Sequence, residues 1–183
     1  MKKILIGFAA IIAVGMIVLL ILIGIAPSEF GVEREVVINK PKAETFAYLR
    51  ILKNQDTWAP WSKKDPNMKH EYRGKDGEVG FVSAWDSDHE EVGSGEQEIK
   101  KIADGERIDY ELRFLKPFES KADAWMTTED AEGGKTKVKW GFKGNMPVPF
   151  NVMMLFMDMD AAISKDFDEG LASLKKELES QGK

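Results

Sequence analysis

A chain of 183 residues with 43% hydrophobic and 31% charged side chains is long enough for one domain with a substantial core and short for two. A formal net charge of −5 does not suit a phosphate backbone, which selects basic surfaces, so nucleic acid is not an expected partner. Cysteine is absent, which removes disulfides, thiol nucleophiles and cysteine-ligated metals.

The leading segment is a different material from the rest. Ile4 to Ala26, "ILIGFAAIIAVGMIVLLILIGIA", carries no charge, and a helix rising ~1.5 Å per residue over that run crosses a bilayer core of roughly 30 Å. A cleaved signal peptide competes with a retained anchor. The run exceeds the roughly 7–15 apolar residues of a signal core, and Pro27 directly after Ala26 makes a poor cleavage site. The expectation is one transmembrane helix over residues 4–26, within an anchor and joint of residues 1–30, followed by a domain of residues 31–183. Lys2 and Lys3 on the short side place the N-terminus in the cytoplasm and the domain outside it. That domain is acidic and is not drawn to anionic headgroups, so the helix must hold the membrane.

After the joint "PSEFG", the segment "VEREVVIN" reads as a strand, and Pro41 in "NKPKAETFAYLR" can open a short amphipathic helix bearing Phe46, Tyr48 and Leu49. A second short helix is expected through "LKNQDTW". The following "WAPWSKKDPN" reads as a proline-broken loop with Trp58 and Trp61 three residues apart.

The middle of the chain alternates. In "RIDYELRF", Ile108, Tyr110, Leu112 and Phe114 share one face and Asp109, Glu111 and Arg113 the other; "KTKVKWGFKG" repeats this with Thr136, Val138, Trp140 and Phe142 against Lys137, Lys139 and Lys143. Such alternation marks antiparallel sheet covered on one side and wet on the other. Weaker strands are "HEYRG", "EVGFVSAW", "GSGEQEIKKIA" and "SKADAWMTTED", joined by turn-forming "GKDGE", "ADGER", "LKPFE" and "AEGGK".

The last element is the longest. From Asn151 to about Ser180, Met153, Met154, Met157, Ala161, Ser164, Phe167, Leu171, Leu174 and Leu178 recur at helical steps, a stripe that predicts one continuous amphipathic helix. Gly170 within it costs about 1 kcal/mol against alanine and implies close packing there. A one-faced sheet and one long amphipathic helix are expected to pack as an α+β layer pair.

The order of one strand, two short helices, six strands and a long helix, with "WAPWS", "TKVKWGFKGNMP" and "DFDEGLASLKKELE", resembles the SRPBCC superfamily of START lipid-transfer domains, the birch-pollen allergen and polyketide cyclases. It looks most like the bacterial polyketide cyclase / dehydrase and lipid transport branch, over roughly residues 31–179. The resemblance implies a helix-grip (START-like) fold, in which a curved antiparallel sheet of about seven strands wraps the C-terminal helix and leaves a cavity. It does not imply one activity.

Site chemistry must come from the residues. The histidines, His70 and His89, have no accompanying ligand motif, so neither a metal nor another cofactor is expected; G-x-S-x-G and phosphate-loop patterns are absent too. The candidate cavity lining is apolar: Trp58 and Trp61, which either form the lip or seal one end of the core, Phe81, Tyr110, Leu112, Trp125 and Trp140 from strands, and Met153, Met154 and Met157 from the helix. Asp160 is a candidate acid or base if buried, but the preferred reading leaves it on the exposed flank of the helix's early turns, where the dipole favours it. The leading expectation is a membrane-anchored binding domain for a hydrophobic small molecule or lipid. A cyclase/dehydratase-type enzyme working in the same cavity, and a filled-core regulatory or partner-binding domain, are the alternatives. No catalytic residue is assigned.

Overall fold

Period-two patterning becomes sheet and the helical stripe becomes the helix that covers it. In the computed structural model, which describes residues 2–181, seven strands form one antiparallel sheet in the order β1-β7-β6-β5-β4-β3-β2. Met1, Gly182, Lys183 and the side chains of Lys3 and Leu5 lie outside the described residues, and with them the Lys3 charge used for orientation. The elements are α1 (Lys2–Ile25), β1 (Glu29–Ile38), α2 (Lys42–Arg50), α3 (Gln55–Trp58), α4 (Pro60–Lys64), β2 (Lys69–Arg73), β3 (Val82–Asp86), β4 (Ser94–Ala103), β5 (Arg107–Lys116), β6 (Ser120–Ala131), β7 (Lys135–Asn145) and α5 (Met159–Ser180).

Helix α1 is long and apolar enough to cross a membrane over Ile6–Ile25, and none of that span is buried against the domain. Strand β1 starts at Glu29, earlier than the alternation suggests, because Glu29 and Phe30 pair with Asn145 and Gly144. The "WAPWS" segment is helical rather than a loop. Pro60 occupies the first position of α4, where its missing N–H breaks no hydrogen bond.

One end of the grip is solid. Ile38, Ile99, Ile108 and Val138 from the sheet meet Phe46, Leu49 and Leu52 from the short helices and Leu171, Leu174 and Leu178 from α5. The buried face of α5 is Ser164, Phe167, Gly170, Leu171, Leu174 and Leu178, which follows the predicted stripe except that Ala161 is exposed. Gly170 is a point of contact: a Cβ there would lie 2.7 Å from Trp140 Cζ3 and 3.2 Å from Pro60 Cδ.

The long helix does not begin at Asn151. Residues Phe150–Leu155 form a 3-10 turn, and α5 starts at Met159 with Asp158 as its cap, whose Oδ1 accepts from the Ala161 N–H at 2.9 Å. The segment between Asn151 and Met157 has apolar residues on every side, so it has no polar face to direct it onto the sheet. It packs instead beside the end of α1.

The outer face of the sheet carries charges in rows. Arg113 reaches Glu98 and Glu111 at 2.6 Å and Glu96 at 2.9 Å. All three carboxyls are held below the ordinary glutamate value, Glu96 first by Arg73 and then by Arg113, Glu98 and Glu111 first by Arg113. A carboxyl whose pKa falls on folding stabilises the fold at neutral pH, and that contribution disappears as pH drops through its folded value. Arg113→Met is therefore expected to lower stability at pH 7 by about 1 kcal/mol, an effect of surface ion-pair size. The deficit against the unaltered chain should shrink as pH falls below the ordinary glutamate value of about 4.3 and close once pH has passed the lowered folded values. Denaturant midpoints of the two chains along an acid series check this.

Candidate ligand cavity

The opposite end of the grip is hollow. Along the inner face, Phe30, Gly144, Ala122, Leu112, Gln97 and Ser83 form one cross-strand row, and Phe114, Gly95 and Trp85 form the next. These rows are short of side-chain volume. Gly144 lets the Phe30 ring lie on the sheet, since a Cβ would stand 2.6 Å from Phe30 Cζ; Gly95 does the same for the Trp85 indole, again at 2.6 Å. The result is a cavity of about 360 Å³ between the sheet, α3, α4 and the first turns of α5, within the range of ligand sites.

Its apolar wall includes Phe30, Trp85, Leu112, Phe114, Phe142 and Trp140, closed on the helix side by Met159, Ile163 and Phe167. Trp140 forms the floor between hollow and solid ends. It stacks on Phe167 with centroids 4.0 Å apart and takes the edges of Trp58 and Trp61 at 5.2 and 5.6 Å.

Polar groups enter the wall at two places. On one side are Gln55, Asp56, His70, Ser83 and Gln97. His70 Nδ1 lies 3.7 Å from Asp56 Oδ1, and the Tyr72 hydroxyl donates to Asp56 Oδ2 at 2.5 Å. Burial first, and the bond to Asp56 second, push the Tyr72 phenol well above its ordinary value, so it stays a proton donor. At the other place, Lys64 Nζ bridges Asp166 of α5 at 3.1 Å and Glu91 of the β3–β4 connection at 3.3 Å. Burial opposes the Lys64 charge, but these two hydrogen-bonded carboxylates outweigh it and raise its pKa. The bridge holds one edge of the cavity closed. Among the described residues, no group of three His, Cys, Asp or Glu could hold a metal ion. His89 is turned onto its own connection, where Nδ1 accepts from the Glu91 N–H at 3.2 Å.

Of the residues singled out from the sequence, Trp61, Leu112 and Trp140 stand on the cavity wall. Trp58 is buried in the core behind Trp140. Phe81 stacks on Tyr72 outside the cavity, with centroids 6.2 Å apart. Tyr110 is buried one row deeper, and burial raises its phenol pKa. Trp125 points to the opposite face. Opposite Asp109 and Gly141 in register, its indole covers Gly141, whose absent Cβ would lie 2.0 Å from the ring, and its Nε1 donates to Glu33 Oε2 at 2.8 Å. Met153, Met154 and Met157 lie outside the wall because the helix begins later; the methionines that line it are Met68 and, from α5, Met159. Asp160 is exposed, and its Oδ1 accepts from Ser164 at 3.2 Å, while Ser164 in turn accepts from Arg34. The groups that the pattern did not reveal are Asp56 and His70. Their only trace is that His70 and Tyr72 share a face at a two-residue step.

Residues 29–179 match the family described as polyketide cyclase / dehydrase and lipid transport. No curated protein matches the chain. Among solved structures, Ara h 8.0201 is similar with a TM-score of 0.56 at 17% identity, over 84% of this chain and 99% of that one. MLL2253 from Mesorhizobium loti is similar with a TM-score of 0.60 at 14% identity, over 84% and 100%. A protein from Nitrosospira multiformis is similar with a TM-score of 0.56 at 14% identity, over 81% and 96%. These likenesses speak for the fold, which is a helix grip. Because the family match runs from the first residue of β1 to the last turn of α5, the chain belongs to the polyketide cyclase / dehydrase and lipid transport family.

Proposed function

We propose that this is a membrane-anchored domain that holds a hydrophobic small molecule or lipid in the cavity between sheet and α5. The observation that carries this is the asymmetry of the grip, solid at one end and hollow at the other. Gly95 and Gly144 let the Trp85 indole and the Phe30 ring lie flat against the sheet, and Ala124 adds little side-chain volume to the wall. The wall is apolar over most of its extent, which suits an alkyl or ring body, and Asp56, His70 and Gln97 offer one hydrogen-bonding end. Helix α1 supports the anchor: its span is not buried against the domain, and its exposed apolar side chains need another environment. With Lys2 at the short end, the domain lies outside the cytoplasm. Confinement beside a bilayer raises the effective concentration of lipid-soluble ligands.

The full chain, purified from membranes and extracted with organic solvent, is expected to release one apolar compound at near-stoichiometric yield, identified by mass spectrometry. Release of none, together with failure of a fluorescent fatty acid to bind the emptied chain, would sink the reading. A second reading rests on His70 and Asp56. An imidazole backed by a carboxylate at the wall can move a proton to or from a bound ligand, as a cyclase or dehydratase step needs. The same extraction separates the two, since a binder returns an added compound unchanged and an enzyme returns it altered.

A further inference from the structure

We infer that the methionine-rich segment and the β5–β6 tip form a rim that sits in the lipid surface, so that the hollow end of the grip opens against the bilayer. This rests on the anchor reading above. Strand register puts several features at one end of the sheet. β1 leaves α1 there, opposite Asn145; the β5–β6 connection lies just beyond Phe114 and Ser120; and the segment from Met146 to Met157 follows the end of β7. The cavity residues Phe30, Trp85, Phe114 and Met159 belong to the same end.

Exposure is concentrated here. Outside α1, the four most exposed large apolar side chains among the described residues are Phe118 at 81%, Phe156 at 79%, Val148 at 65% and Phe150 at 61%. All four lie at this end, with the exposed Met153 and Met157 beside them. From Asn145 through Met157 the chain carries no charged residue, although the whole sequence is 31% charged. In water such a patch is an unmet cost. At a membrane interface, aromatic rings and uncharged backbone are favoured.

A second observation fixes the depth of the patch. The last carbonyls of any helix lack partners within the helix. In α1 they are met by protein: Asn151 Nδ2 donates to Ile23 O at 2.9 Å and to Ala26 O at 3.1 Å, and the Ala26 N–H donates to Leu22 O at 2.9 Å. Asn151 is itself buried, and the Met146 N–H donates to Ser28 O at 2.7 Å. A helix ending in water has no need of a buried side chain to cap it, whereas one ending at the hydrocarbon boundary must have its carbonyls satisfied internally. The 3-10 turn that Asn151 opens is thus locked to the point where α1 leaves the membrane. Phe150, Met153 and Phe156 are carried with it to interfacial depth, and an apolar ligand can pass from lipid to cavity without entering bulk water.

The cysteine-free sequence makes the test direct. Single substitutions Phe118→Cys, Phe150→Cys and Phe156→Cys in the full chain, with Val14→Cys in α1 and Glu132→Cys at the far β6–β7 tip, are spin-labelled in phosphatidylcholine nanodiscs. Collisions with dissolved oxygen are then compared with collisions with a water-soluble nickel chelate. The expected result is loss of nickel access with high oxygen access at positions 14, 118, 150 and 156, and full nickel access at 132. Lipid contact at 14 with nickel access at 118, 150 and 156 would overturn the rim and leave the anchor standing. Nickel access at 14 would remove the anchor, and the rim with it. Positions 118, 150 and 156 closed to both probes would mean burial against protein, such as a second copy, and would also overturn the rim.

Discussion

Trp140→Ala is expected to destabilise the domain by about 3–5 kcal/mol, the cost of removing a large buried aromatic side chain. Four neighbours depend on it. Its indole stacks on Phe167 at 4.0 Å, receives the edges of Trp58 and Trp61, and fills the space that Gly170 leaves for it in α5. Alanine would remove the floor that separates the solid core from the cavity, so the space created would join the hollow and could not collapse without moving α5 or β7. Since small domains are stable by only about 5–15 kcal/mol in all, the loss should shift the denaturant midpoint by a large fraction of its range. Trp125→Ala is the control. It deletes the same side chain from the other face of the adjacent strand, where the indole is only partly covered, and should cost well under half as much. Urea titrations of both variants in the full chain, followed by near-ultraviolet circular dichroism, check the contrast. Equal losses would mean that the burial difference between the faces is not what holds α5 in place.

That contrast also shows where the sequence is readable. In β5 apolar and charged residues alternate from Arg107 to Phe114, and in β7 from Lys137 to Lys143 with Gly141 the one break, so the inward faces of Tyr110, Leu112, Trp140 and Phe142 follow from spacing. In β6 the inward positions are Ala122, Ala124, Met126 and Thr128, and the largest side chain, Trp125, points out. Hydrophobic size there gives the wrong parity, and the correction comes from Gly141, a residue of the neighbouring strand, which alone makes room for the indole. The Phe167-to-Leu178 stripe of α5 was legible because it repeats on a single face. Met153, Met154 and Met157 continue that stripe in sequence but not in space: their fate is set by Asn151 and the end of α1, more than a hundred positions away. The Asp56–His70 pair was unreadable for a similar reason, since one residue lies on a single helical turn and the other on an edge strand. What fails to show in the sequence is each case where a small residue on one element makes space for a large one on another. The cavity is made of such cases.

The cavity's smallness of side chain is therefore the place to test function. Ala124 is buried, faces inward between Tyr110 and Phe142, and forms part of the wall. Ala124→Phe should project a ring into the hollow and weaken binding of an apolar ligand by at least about tenfold, or roughly 1.4 kcal/mol. Two measurements on one variant make this decisive. If the hollow is real in solution, the added ring buries apolar surface where nothing stood, and the ligand-free chain should hold its stability or gain up to about 1.5–3 kcal/mol. If the wall instead closes on itself and the domain works through a filled core, the same ring overpacks it, at a cost of about 1–3 kcal/mol. Ligand linkage gives the second readout: at a hundredfold excess over its Kd, a ligand should stabilise the unaltered chain by about 2.7 kcal/mol and the variant by far less. Thermal denaturation with and without a fatty-acid probe reads both. A more stable variant that no longer responds to ligand is the outcome the cavity requires, and a destabilised one with an unchanged response would assign the binding to another surface.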